Sequence, residues 1–223
     1  MTQMSDQLPG VAGLSAQGVQ RLPGYYNYLR DRRTNQVRYV SAAAMAREFG
    51  LNEVQVRKDL ACVSPNPGKP RKGFLVDELL DSIGQCLGYH NEDEAVLVGV
   101  GKLGSALLAY PGFGEHGVHI AAAFDIDDAV IGTQVANKTI RPLSDLPQLL
   151  ARTGVRIGIV TVPATSAQAV CDLLVSAGIQ AIWNFAPVHM RVPSGVLLQN
   201  ENLPAQLARL SQLLSRRPLT ESA

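Results

Sequence analysis

The sequence predicts an α/β chain of two modules, a small helical one followed by a doubly wound parallel sheet, and three observations lead there. Positive charge is concentrated at the front. Residues 21–73 carry eleven Lys/Arg against four Asp/Glu and residues 91–223 carry nine against eleven, although the whole chain has a net charge of only +1. Two short helix patterns with capping residues lie inside the basic stretch, and behind it apolar β-branched runs alternate with helical patterns. With 223 residues, 46% of them hydrophobic, there is enough apolar material for a core in each module. A basic module ahead of a mildly acidic one predicts that the front half meets something anionic.

Several classes of protein are disfavoured at once. No apolar run approaches the roughly 18 residues of a membrane span, and residues 1–10 lack the basic and apolar regions of a secretory signal. Cys62, Cys86 and Cys171 are far apart and form no CxxC, which fits a reducing cytosol and argues against a disulfide framework or a zinc site. His116 and His119 sit in a Gly-flanked stretch without a nearby Cys or carboxylate pair, so they read as exposed loop residues rather than metal ligands. The expectation is a cytoplasmic protein with no metal and no membrane contact.

In the front module, residues 21–33 (RLPGYYNYLRDRR) place Leu22, Tyr25, Tyr26 and Leu29 on one helical stripe, with Pro23 read as a first-turn proline. A second helix follows Ser41 as N-cap, runs through AAAMAREF and stops at Gly50. Asn52 then caps a third helix, with Gln55 three places on completing a capping-box-like pair. Val56, Leu60 and Val63 line one face of that helix; Gln55 and Lys58 project from the other, with Arg57 on the flank. Two short helices joined by a Gly-containing turn, the second basic outside, describe a helix-turn-helix. Its third helix fits a major groove, where Arg, Lys and Gln reach base edges. The following SPNPGKPRKGF carries Lys69, Arg71 and Lys72 on a Pro/Gly turn, a wing suited to phosphates or a minor groove. A three-helix core with merely solvated charges is the alternative.

In the back module, residues 95–100 (AVLVGV) read as a buried parallel strand. The strand enters Gly99-Val100-Gly101-Lys102-Leu103-Gly104, a GxGxxG, and then the apolar helix SALLAY. A second strand, residues 118–124, ends in Asp125, about 20 residues on, the context that makes such a glycine motif specific. The glycines let backbone approach a pyrophosphate seated at the helix N-terminus, and Asp125 accepts hydrogen bonds from the adenosine ribose. With Asp127 and Asp128 beside it, a 2′-phosphate is repelled, which favours NAD(H) over NADP(H). Helix 143–153, strand 156–162, helix 163–177 and strand 179–185 continue the alternation, a Rossmann-like doubly wound sheet. Ligands bind beyond the C-terminal strand ends, placing Thr161-Val162-Pro163 and Asn184-Phe185-Ala186-Pro187 opposite the glycine loop. At the end, Leu203, Leu207, Leu210 and Leu214 form one stripe, which either covers its own sheet or packs against a second subunit.

A dehydrogenase needs a proton donor facing the nicotinamide and a substrate pocket. Tyr110 and His189 are the nearby candidates, and there is neither a Tyr-x-x-x-Lys nor a second domain to wall off a substrate. A chain that binds a dinucleotide without chemistry reads as a sensor, with no catalytic residues. A small NAD-dependent oxidoreductase with an accessory domain is the alternative; a nucleotide- or CoA-binding module acting through protein partners is a third option.

The segments RLPxYYxYL (residues 21–29), QVRKDL (55–60), GVGKLGSALLAYPGF (99–113), AFDID (123–127), TVPA (161–164) and NFAPV (184–188) together resemble the bacterial redox-sensing transcriptional repressor family Rex, over residues 14–214. The resemblance implies a homodimer with winged-helix N-terminal domains, Rossmann cores and C-terminal helices exchanged between subunits. It implies that NADH releases operator DNA while NAD⁺ competes for the site and leaves DNA binding intact. It assigns Gly99, Val100, Gly101, Lys102, Leu103 and Gly104 to the pyrophosphate loop and Asp125 to the ribose. Tyr110 and Asn184 to Pro187 resemble the nicotinamide surroundings, residues 52–63 the recognition helix, and Lys69 to Lys72 the wing. The expected DNA-facing set is Ser41, Asn52, Gln55, Arg57, Lys58, Lys69, Arg71 and Lys72. The division expected is residues 1–90 for DNA, 91–200 for NAD(H) and 201–223 for dimerisation.

Three positions depart from the family pattern. Asn27 stands where an Arg is common between the tyrosines, Asn202 where an Asp is common before the terminal helix, and residues 61–74 lack the usual Phe-Gly-rich segment. The Arg and Asp form an inter-subunit switch in some members, so these departures predict a divergent branch that switches through other contacts.

Overall fold

The structure, a computed structural model, describes residues 13–215; the absence of a signal in residues 1–10 and the outer ends of the first and last modules lie outside the described residues. The chain divides into two compact units, residues 1–91 and 92–223. No helix among the described residues is long and apolar enough to cross a membrane.

In the first unit, α1 (Ala16–Thr34), α2 (Ala42–Phe49), α3 (Glu53–Val63) and α4 (Val76–Leu87) share one core, and β1 (Tyr39–Val40) pairs antiparallel with β2 (Phe74–Leu75). This is the expected winged helix-turn-helix. α1 starts earlier than the sequence suggests, because the Ser15 hydroxyl accepts the Gly18 N–H at 3.1 Å. Pro23 is therefore inside the helix rather than in its first turn. A proline there removes a backbone hydrogen bond and crowds the carbonyl four residues back. The helix survives because Leu22, Tyr25 and Leu29 are fully buried, each contributing about 1.5–3 kcal/mol of transfer free energy.

The Ser41 and Gly50 caps stand as read: Ser41 Oγ accepts from Ala44 N–H, and Gly50 is left-handed at φ 60°. Asn52 also caps α3, accepting from Val54 N–H at 2.8 Å. The capping box does not form. Gln55 Nε2 instead donates forward to Asp59 Oδ1, a buried carboxylate, at 2.9 Å.

The second unit is a seven-stranded sheet of β3 (Asp93–Val98), β4 (Val118–Asp125), β5 (Gln134–Val135), β6 (Lys138–Pro142), β7 (Ile157–Val160), β8 (Ala181–Asn184) and β9 (Leu197–Asn200). The spatial order is β5-β6-β4-β3-β7-β8-β9, parallel throughout except the β5–β6 edge pair. Without that edge strand the order is that of a Rossmann sheet, with the switch point between β3 and β7. The strand alternation sends Val96, Val98 and Phe124 to one face and Ala95, Leu97 and Ala123 to the other. α6 (Leu146–Thr153) and α7 (Ala164–Ser176) cover the first face through Leu150, Val170 and Leu174; α5 (Lys102–Leu108) packs on the second through Leu108.

The hairpin β5–β6, the edge strand β9 and a 3-10 turn over Pro111–His116 were not anticipated. His119 lies on β4 rather than in a loop, and half-buried His116 bonds the Gly112 carbonyl through Nδ1 at 2.6 Å. α8 (Leu203–Ser215) exposes its leucine stripe, with Leu207 68% and Leu214 63% accessible. Among the described residues, no group of three His, Cys, Asp or Glu is arranged to hold a metal.

Candidate functional site

The first unit presents one basic surface. Ser41 at the start of α2, Arg57 on α3, and Lys69 and Arg71 on the turn before β2 border a concavity of about 520 Å³. The turn is closed by Lys69 N–H to Gly73 O at 2.7 Å and Gly73 N–H to Lys69 O at 2.9 Å. Pro70 takes its second position and Arg71, at φ 62°, its third, where a left-handed conformation normally calls for glycine. Gly73 is irreplaceable, since a Cβ there would lie 2.2 Å from the Val40 carbonyl. Lys58 and Gln55 are exposed on α3 but lie outside the concavity; Asn52 is exposed and caps the helix, and Arg57 pairs with Glu53 one turn back. Two residues escaped the sequence reading. Arg38, Lys69 and Lys72 all stand 5.7–5.9 Å from the Tyr39 ring centre, so Tyr39 and Arg38 belong to this face. Their only signal was Arg38's share in the local charge excess.

Beneath that face, Asp59 is 2% exposed and gathers four hydrogen bonds. Arg21 donates through Nε at 2.8 Å and Nη2 at 3.0 Å, Tyr25 through its hydroxyl at 3.1 Å, and Gln55 as described. Burial, and then the Asp59 charge, push the Tyr25 hydroxyl up to about 12, so it stays a donor at neutral pH. Burial alone would lower the Arg21 pKa, but its Asp59 partner outweighs that and raises it. The network ties α3 to α1. The sequence hint was an Asp on the apolar stripe, three residues after Val56 and next to Leu60.

The second unit opens a cleft of about 470 Å³ at the β3/β7 switch point, a size typical of small-molecule sites. It brings together Gly99, Val100, Gly101, Asp125, Thr161, Val162, Pro163, Phe185 and Pro187. Asp127 lines it too, as do Val130 and Ser166, which the sequence reading did not name. The Asp125 carboxylate already accepts Val100 N–H at 2.5 Å on one oxygen, and Ile126 and Asp127 N–H at 2.7 and 3.1 Å on the other. A carboxylate offers about four acceptor positions, so a hydroxyl can still be received. The Thr161 hydroxyl pins the loop from the other side, donating to the Gly99 carbonyl at 2.6 Å.

Six expected residues fall outside the cleft lining. Lys102 and Leu103 face outward on α5, and buried Gly104 packs beneath the loop. Tyr110 is 59% exposed and rests edge-on against Phe113 at 5.2 Å. Ala186 is buried, and Asn184 is fully buried, its amide donating to the Ala186 and Val188 carbonyls and to Asn200 Oδ1 while its oxygen accepts Ala186 N–H. Asn184 thus shapes the turn that presents Phe185 and Pro187. Asn27 is exposed, and Asn202 caps α8 by accepting Ala205 N–H at 3.0 Å.

A winged helix-turn-helix unit with a basic wing, followed by a Rossmann unit with a glycine-loop cleft, defines a two-unit transcriptional regulator. A family described as "CoA binding domain" matches residues 90–188, and one described as "Putative DNA-binding protein N-terminus" matches residues 13–61. The redox-sensing transcriptional repressor Rex of Treponema denticola is 37% identical over 90% of this chain and 95% of its own. The crystal structure of RSP in complex with β-NAD⁺ and operator DNA superposes with a TM-score of 0.83 at 31% identity, covering 92% of this chain and 94% of that one. That of RSP in complex with β-NADH gives 0.78 at 31% identity, covering 92% and 95%. The chain belongs to the Rex family of redox-sensing transcriptional repressors.

Proposed function

We propose that this chain is a cytoplasmic repressor that holds operator DNA through its first unit and leaves it when NADH enters the cleft of the second, so reporting the NADH/NAD⁺ ratio. The observation that carries this reading is the bare Gly101 beside Asp125: a Cβ at Gly101 would meet no protein atom within 4 Å, so the cleft is open where a pyrophosphate would pass. Gly99 to Gly104 hold the pyrophosphate and Asp125 the adenosine ribose; Thr161 to Pro163 and Phe185 to Pro187 surround the nicotinamide. Of the residues outside the cleft lining, buried Gly104, Asn184 and Ala186 support that site from beneath, and exposed Lys102, Leu103 and Tyr110 complete the cofactor-binding set. CoA is disfavoured because its ribose bears a 3′-phosphate, which would face the carboxylates of residues 125, 127 and 128.

Residues 1–90 form the DNA-binding domain, with Ser41, Asn52, Gln55, Arg57, Lys58, Lys69, Arg71 and Lys72 as its contact set. Arg71 supports this assignment. A left-handed arginine at a turn tip costs on the order of 1 kcal/mol, which fits a side chain kept for a ligand. Residues 91–200 bind NAD(H). Residues 201–223 pack against a second copy of the chain, which would cover the leucines that α8 exposes. The chain is a regulator rather than an enzyme: Tyr110 and His189, the candidate proton donors, both lie outside the cleft lining. Sensing through a dinucleotide rather than a thiol is supported by Cys86 and Cys171, whose thiols burial pushes up, away from the reactive thiolate.

The test is a titration of NADH, then NAD⁺, into the protein bound to fluorescent promoter DNA at fixed salt. Release by NADH alone is expected; NADH leaving the complex intact would sink the reading. Two variants separate the units. Lys58→Ala should weaken operator binding and reduce its salt slope by about one, with NADH affinity unchanged; loss of both would mean α3 is not the reading helix. Asp125→Ala should lower NADH affinity by about 1–3 kcal/mol, read by calorimetry, and undiminished affinity would place the ribose elsewhere.

A further inference from the structure

We infer that Trp183 and Glu201 form a positioning pair that carries the state of the cleft to the root of α8; the inference rests on the proposed NADH-driven release and on α8 meeting a second copy. β8 alternates so that Ile182 and Asn184 are buried on the α7 side, while half-buried Trp183 joins the aromatic cluster on the other face. Its ring lies 4.5 Å from that of Phe185, which lines the cleft, and 5.7 Å from Phe113, which in turn touches Tyr110. The indole N–H donates to Glu201 Oε1 at 3.1 Å. The other carboxylate oxygen accepts from Gln206 Nε2, in the first turns of α8, at 3.2 Å, and Gln199 Nε2 approaches Oε1 at 3.3 Å.

A backbone tie runs beside this one. Glu201 N–H donates to the Asn184 carbonyl at 2.8 Å, and the Asn184 amide to Asn200 Oδ1. The two ties differ in what can move them. Asn184 is locked by its four hydrogen bonds, so the backbone tie is fixed. Trp183 is held on the cleft side by a ring contact with Phe185, and a ring displaced by a ligand draws the indole N–H with it. The carboxylate it holds is also the acceptor for Gln206, so the direction of α8 follows. A phenylalanine at 183 would keep the ring contact and lose the connection.

The experiment measures NADH affinity of the full-length protein with and without bound operator DNA; the ratio of the two constants is the coupling, typically about 5–150-fold in allosteric proteins. Trp183→Phe and Glu201→Ala are expected to keep NADH affinity in the absence of DNA within about threefold and to reduce the coupling at least fivefold. Glu201→Gln, which retains an acceptor for the indole, should restore most of it. Trp183 is the chain's one tryptophan, so its emission maximum should shift on NADH binding in the wild type and remain still in Glu201→Ala. Coupling unchanged in both Trp183→Phe and Glu201→Ala overturns the inference, as does a loss of affinity and melting temperature at constant coupling, the mark of a packing role. Failure of the wild type itself to release DNA is the separate signature of a wrong functional reading, and overturns the pair with it.

Discussion

Gly104→Ala is expected to lower NADH affinity by more than 100-fold while operator binding without ligand persists, leaving a repressor that NADH does not dislodge. The cause is the space beneath the loop. A Cβ at residue 104 would lie 1.9 Å from the Gly99 carbonyl oxygen and 2.8 Å from Thr161 Oγ1. The carbonyl has nowhere to retreat, because Thr161 bonds it and the Gly99 N–H is bonded to the Phe124 carbonyl at 2.8 Å. The loop must therefore change shape, at the about 1–3 kcal/mol common for overpacking, and its N–H groups leave their positions. Calorimetry with NADH and a thermal melt check both parts. Gly101→Ala is the control: with open space around that Cβ, the melt should match wild type and only ligand affinity should fall. Wild-type affinity in Gly104→Ala would show that the pyrophosphate does not lie on this loop.

The largest effect on stability is expected for Asp59→Ala. Removing the carboxylate leaves Arg21, the Tyr25 hydroxyl and the Gln55 amide without their acceptor beneath α3. Breaking a buried pair costs about 3–5 kcal/mol; the Arg21 side chain is 21% exposed, so about 3 kcal/mol is the fitting end. At roughly 4–8 °C per kcal/mol for a unit of this size, the first unit should melt more than about 10 °C lower and operator affinity should fall with it. A melt shifted by only a degree or two would mean that the network is incidental. The same network has an alkaline signature. Because the Tyr25 hydroxyl is raised from 10 to about 12, its contribution is full below pH 10 and is lost as pH rises from 10 through 12. Tyr25→Phe should lack that component of the alkaline melting curve.

The contrast between what was legible and what was not has physical causes. β3, the glycine loop and α5 were readable because strand, turn and helix signals meet within a dozen residues and agree, and α2 and α3 because each cap residue performs its local hydrogen bond. Pro23 misled because tertiary burial of Leu22 and Tyr25 overrides a helix-breaking residue. β9 has only one residue that is not exposed, so it carries no apolar alternation, and the β5–β6 hairpin turns on Ala136 and Asn137, both left-handed, without the glycine that usually marks such a turn. Asn184, Gln55 and Asp59 share one lesson. The first two make hydrogen bonds to neighbours that no local pattern announces, and in the third the decisive polar group was hidden in an apolar stripe. Which hydrogen bonds a side chain has left to give is a property of the packed molecule.

The Asp125 carboxylate holds the glycine loop in shape through Val100 N–H before any dinucleotide arrives. Little ordering is then required of the guest, and preorganisation of this kind lowers the cost of binding. It also divides the cleft into two ends with separate duties. In the proposed placement the Asp125 end would meet the same adenosine whether the guest is oxidised or reduced, and so would work as an address that admits both. With NAD(H) placed as proposed, the far wall, at Phe185 and Pro187, would face the ring whose charge and shape differ between the two forms, so discrimination between them would fall to a few side chains on a turn that the Asn184 hydrogen bonds hold.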